Sequence, residues 1–234
     1  MTTRRNFLLG GACALSAAAL YKQEWFTELK KEYPNVLMLI VDDLNDWVGP
    51  LGGHPNTKTP NMDRLAAQGT TFTNAHASAP ICGPSRASIM TGLAPSTTGI
   101  YGHIHDKNIR KAHDKTKHSL FLSEYFKQHG YYTAAVGKVF HQRVVDGSFD
   151  EYGGRVKGFG PYPEKNFVWD DPRTNTDWGP FPARDDQMPD FDSANWIANK
   201  LKEDHDKPFF MACGFLRPHA PWHVPKKWFD LHPI

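Results

Sequence analysis

The run Val36-Leu37-Met38-Leu39-Ile40-Val41 is apolar at every position and closes on two carboxylates, Asp42 and Asp43. Apolar side chains on both faces, rather than on alternate residues, read as a strand of a parallel sheet covered from two sides. Sheets of that kind gather ligands outside the carboxyl ends of their strands, which is where this pair of acids falls. Adjacent carboxylates suit a hard divalent cation such as Ca²⁺ or Mg²⁺, because oxygen donors bind it and its charge offsets their repulsion. The same pair also fits a solvated loop that caps a helix.

The pattern after this run alternates between strand and helix. Residues 59–69 carry a cap, an early proline, apolar spacing and a terminal glycine, which predict a short helix. Residues 70–75 read as a strand, residues 119–130 as a helix, and residues 131–136 as a second strand that runs into Gly137-Lys138-Val139-Phe140-His141. Residues 147–189 lack periodicity and predict an irregular insertion beside the site. Residues 191–204 return to helical spacing, with Phe191, Ala194, Ile197, Ala198 and Leu201 on one face. An apolar strand from Pro208 to Phe215 leads to a loop in which His219 stands between Pro218 and Pro221. The expected class is α/β, with a mostly parallel central sheet flanked by helices.

Residues 79–92 place Cys82 in a turn bracketed by proline and glycine, with Arg86 four residues on and Pro84 in the first turn of a helix. Helix N-terminal N–H groups and a guanidinium together hold a sulfur or phosphorus oxyanion next to a nucleophile. The alternative for Cys82 is a small buried hydrophobe. Cys213 lies inside an apolar strand and reads as core. With Cys13 near the start, the three cysteines make no disulfide framework.

Residues 1–33 combine Arg4-Arg5, a following Phe7-Leu8, and the small-residue apolar run 10–20. This predicts an export signal and linker resembling the twin-arginine type, hence a periplasmic or secreted protein. The run is too short for a membrane span. The balance of 27 basic against 25 acidic residues argues against nucleic acid as a partner.

Cys82-x-Pro84-Ser85-Arg86, followed by Met90-Thr91-Gly92, resembles the signature of the type I sulfatases of the alkaline phosphatase superfamily. Gly137-Lys138-Val139-Phe140-His141 and Gly214-Phe215-x-Arg217-Pro218-His219-x-Pro221-Trp222 are similar to the iduronate-2-sulfatase branch. The resemblance covers residues 35–234 and implies a sulfuric ester hydrolase acting on a sulfated sugar or glycan. It implies that a maturation enzyme converts Cys82 to Cα-formylglycine, and that Asp42, Asp43 and residue 82 bind Ca²⁺. Arg86 would hold residue 82, Lys138 and His219 would bind the ester oxygens, and His141 would hydrogen-bond the formylglycine. In that family one hydroxyl of the aldehyde hydrate attacks sulfur, and the second collapses to release sulfate. Longer members supply further metal ligands downstream, so residues 34–234 are expected to be the N-terminal part of a catalytic domain. A phosphonate or phosphate monoester hydrolase of the same superfamily, or a non-catalytic remnant, is the alternative.

Overall fold

The computed structural model describes residues 33–155, 158–167 and 175–232. Apart from Tyr33, the expected export segment lies outside the described residues, as does Cys13. Among the described residues no helix is long and apolar enough to cross a membrane.

The strands are β1 (Val36–Val41), β2 (Tyr132–Gly137), β3 (Glu151–Tyr152), β4 (Trp178–Pro180), β5 (Phe209–Phe215) and β6 (Trp222–Val224). The helices are α1 (Pro60–Gln68), α2 (Cys82–Thr91), α3 (Pro95–Thr98), α4 (Asp114–His118), α5 (Leu122–Gln128), α6 (Pro189–Lys200) and α7 (Lys226–Phe229). The main sheet has the order β1-β5-β2-β3 and is parallel throughout, as the apolar strand patterns predict. The strands β4 and β6 pair separately.

Period-two alternation along β5 feeds two cores. Phe210 and Ala212 join Met90, Ile109, Phe121 and Phe140 on one face. Phe209, Met211 and Cys213 join Val136 and Ile197 on the other. Each large side chain buried this way contributes about 1.5–3 kcal/mol. The central strand β5, which serves both cores, therefore holds the sheet together.

Three expectations are corrected. Residues 70–75 form no strand, and Phe72 is exposed; an extended segment persists only with a ladder partner and a face to bury, and this one has neither among the described residues. The helix expected over 191–204 spans Pro189–Lys200 and buries Pro189, Ser193 and Ile197, while Phe191 and Leu201 are exposed. The face turns because Ser193 fits closely under the sheet: its Oγ would lie 2.9 Å from a Cβ at Gly137. Finally, β1 is covered on one side only, with Leu37 41% and Leu39 50% exposed. The helix α6 packs over β2 and β5, which leaves that side of the edge strand bare among the described residues.

Candidate active site

The carboxyl ends of β1, β2 and β5 meet the start of α2, and each brings a side chain named from the sequence. Asp42, the residue after β1, donates its backbone N–H to the Phe215 carbonyl at 3.1 Å, which ties it to β5. Its carboxylate is 4% exposed. Oδ1 accepts from Arg86 Nη2 at 2.9 Å, and Oδ2 accepts from Lys138 Nζ. Burial pushes the Asp42 carboxyl up, but hydrogen bonds from Lys138 and Arg86 outweigh it and hold the group below the ordinary carboxylate range. Arg86 Nη1 donates to the Lys138 carbonyl and, at 3.1 Å, to that of Val139. Both cations are almost fully buried, so the three charges form one closed network.

Two glycines let β2 and β5 deliver Lys138 there. Gly137 has φ +73, and a Cβ on it would lie 2.2 Å from the Gly214 carbonyl oxygen. A Cβ on Gly214 would lie 1.9 Å from that of Lys138. Any side chain at either position would force the strand ends apart.

Asp43 breaks the strand alternation with φ +58, a left-handed conformation that aspartate tolerates better than most residues. Its carboxylate is half-exposed, and Oδ2 lies 3.8 Å from His219 Nε2. Oxygen atoms of both acids and a nitrogen of His219 lie within 4.8 Å of one another. Two consecutive carboxylates therefore serve one spot instead of opposite faces. This donor set fits a hard cation, and it falls short of the six or more oxygens that Ca²⁺ takes.

Cys82 is the first residue of α2, which puts Pro84 in its first turn as expected, and Ile81 is the extended N-cap. Its Sγ lies 3.3 Å from His141 Nδ1. Burial pushes the thiol up, but hydrogen bonds from His141 and His219, then the Lys138 charge, bring it down to about 5. The hydrogen bond with Cys82 raises His219 in turn, against the opposing effect of burial.

His219 is held through its own backbone. Its Nδ1 lies 2.6 Å from the Ala220 carbonyl oxygen, and its carbonyl accepts from Arg217 Nη1 at 2.8 Å. Arg217 also donates to the Phe159 carbonyl at 2.7 Å, and Asp190 accepts the Leu216 and Arg217 N–H groups at 2.7 and 2.8 Å. The Phe159 ring lies under Lys138 Nζ at 5.1 Å, under the Arg155 guanidinium at 4.6 Å, and 5.0 Å from the His219 ring. It forms an aromatic floor between cations.

All seven residues named from the sequence (Asp42, Asp43, Cys82, Arg86, Lys138, His141 and His219) come together at this one edge. Sequence reasoning missed His103, whose ring stacks on His141, together with Asp106, Phe159 and Arg155. Arg217 was visible as part of the Arg-Pro-His segment but carried no assigned role.

The sulfatase family profile matches residues 34–230. The chain belongs to the sulfatase family. A sulfatase from Formosa agariphila is 52% identical over 98% of this chain and 47% of that protein. Human iduronate 2-sulfatase is 32% identical over 99% of this chain and 44% of that protein. A protein of known structure in complex with its substrate D-glucosamine-2-N,6-O-disulfate is 25% identical, with a TM-score of 0.54 over 81% of this chain and 35% of that one. This sulfatase chain thus spans about half the length of the curated relatives it matches.

Proposed function

We propose that this chain carries the nucleophile-bearing half of a sulfuric ester hydrolase that removes sulfate from a sulfated carbohydrate. One observation carries the reading: Cys82 opens a helix within hydrogen-bond reach of His141, beside a buried Asp42–Arg86–Lys138 network, inside a sulfatase-family sequence. Both the iduronate 2-sulfatase relative and the neighbour bound to a sulfated glucosamine support a sulfated sugar as the substrate class.

In this reading a maturation enzyme converts Cys82 to Cα-formylglycine, whose hydrate supplies the attacking oxygen. Asp42 and Asp43, with residue 82, would hold Ca²⁺, which when bound would supply Lewis-acid activation of the nucleophile and the ester. The chain's own groups do the rest. His141 hydrogen-bonds residue 82 and fixes its orientation. His219, partly buried 3.8 Å from the Asp43 carboxylate, gives a proton to the leaving alcohol in this reading. Arg86 and Lys138 fix the Asp42 carboxylate and make the pocket floor positive, which favours an anionic ester. Residues 1–33 direct export to the periplasm or beyond.

The test is hydrolysis of a sulfated oligosaccharide by protein whose residue 82 is shown by mass spectrometry to be the aldehyde. Cys82→Ala should lower turnover by roughly a thousandfold or more and leave the melting temperature within a few degrees of the parent. Undiminished sulfate release by that variant would overturn the reading. Aryl phosphate hydrolysed faster than aryl sulfate would point instead to a phosphate or phosphonate ester hydrolase.

A further inference from the structure

His141 reaches Cys82 from a loop beyond β2, and one segment, residues 103–106, converges on that loop. The Asp106 carboxylate, 7% exposed, accepts backbone N–H groups from His141 at 3.2 Å, Gln142 at 2.6 Å and Arg143 at 3.0 Å. The His103 ring lies parallel on the His141 ring, with centroids 4.1 Å apart and planes 7° apart. His105 Nδ1 lies 2.8 Å from Gln142 Oε1. His103 also packs against the start of α2: a Cβ at Gly83 would lie 2.7 Å from its Nδ1. The same ring therefore touches the turn that carries Cys82 and the histidine that faces Cys82.

We propose that His103 and Asp106 are positioning residues. Asp106 fixes the backbone of residues 141–143, and the stacked His103 fixes the plane of the His141 imidazole, so that Nδ1 stays on residue 82.

The physical case rests on what each contact restricts. A carboxylate that gathers three N–H donors makes charge-assisted bonds, stronger than neutral ones, and pins three consecutive peptide planes. It leaves the His141 side-chain torsions free, and the χ2 torsion of histidine is broad. A flat partner at stacking distance removes that freedom, because rotating the His141 ring would drive its edge into His103. Misplacement by about 1 Å is enough to cost a reacting pair a hundredfold. His103 is exposed on the site's open side and lies within 4.8 Å of both Cys82 Sγ and a His141 nitrogen, so it orders the pair from the rim.

This inference rests on the reading of Cys82 and His141 as the reacting pair, and its test needs neither turnover nor a cation. The full chain is made without the maturation enzyme, so that residue 82 stays a thiol. The second-order rate of iodoacetamide alkylation at pH 6 is then followed by peptide mass spectrometry, with buried Cys213 as the internal blank. His141→Ala sets the scale, with Cys82 slowing by roughly tenfold as thiolate is lost. His103→Leu, which keeps bulk and removes the flat ring, should reproduce most of that loss. His103→Phe, which keeps the ring and removes both nitrogens, should restore the rate to within about twofold of the parent. Asp106→Asn should fall between. In the His141→Ala background, His103→Leu should have no further effect. A His103→Leu rate at or above that of the parent, failure of His103→Phe to recover it, or an equal loss with and without His141 would overturn the proposal. Should His103→Leu loosen the fold, Cys213 would become reactive in the same spectrum. The comparison of His103→Phe and Asp106→Asn with the parent then decides.

Discussion

Cys82 and Cys213 are the same side chain in two regions of one molecule, and they have opposite chemistry. Cys213 sits in the middle of β5 and is fully buried; its Sγ is 3.8 Å from the Ser193 carbonyl oxygen. Burial, then the nearby Asp190 charge, pushes its thiol up to about 12. Cys82 is half-buried, and burial acts on it in the same direction, yet its thiol lies at about 5. The difference comes from what surrounds the sulfur: His141, His219 and Lys138 in one case, Met211, Ile197 and Val136 in the other. Reactivity in this fold follows from the donors at the strand ends, and the apolar strand interior suppresses it.

The sharpest way to break that contrast is to alkylate the folded, unconverted protein at pH 7. The two thiols differ in thiolate fraction by on the order of 10⁵ at that pH, so a single adduct at Cys82 is expected. Comparable labelling of Cys213 in protein that remains folded would refute it. A smaller effect comes from Asp42→Asn, which leaves Lys138 and Arg86 buried without their carboxylate and should cost about 3–5 kcal/mol in a metal-free urea titration. The pH dependence has a definite sign. The folded Asp42 carboxyl titrates below its unfolded value, so its ion pairs stabilise the fold above about pH 4 and that stability is lost as pH falls further. Asp42→Asn should flatten this acid limb, and an unchanged limb would assign it to other groups. The smallest effect is expected at the inert cysteine. Cys213→Ser puts a hydroxyl into an apolar core and should cost about 1–3 kcal/mol, with Cys82 alkylation unchanged.

Much of this site could be read from the chain because its parts sit at strand ends or in rigid turns. The apolar runs announced β1 and β5, and Asp42, Lys138 and His219 followed from where those runs and the second strand stop. Contacts made only by the folded chain were harder to read. His103 and Asp106 lie in a stretch with no periodic signal, and their partners are about 35 residues away in a different loop, with no pattern linking the two segments. Phe159 belongs to the aperiodic insertion, where an aromatic residue gives no hint of what lies above it. The buried face of α6 was misread because apolar spacing points to the large residues, whereas close approach to Gly137 favours Ser193. Leu37 and Leu39 show the same limit from the other side: an apolar pattern records which surfaces call for cover, and the tertiary arrangement decides what covers them.

The position of β5 has a consequence in time. Among the described strands of the main sheet it is the last to be made, and it lies between β1 and β2. Until Phe215 has been synthesised, those two strands have no common neighbour, and the charges of Asp42 and Lys138 have no scaffold on which to meet. Cys82 is made about 130 residues earlier, or roughly 7 to 27 s at ordinary rates of chain growth. That interval is the one in which the maturation proposed above would meet the cysteine turn as linear sequence. The order of the strands thus sets how long the thiol stays reachable before the sheet closes over its neighbours.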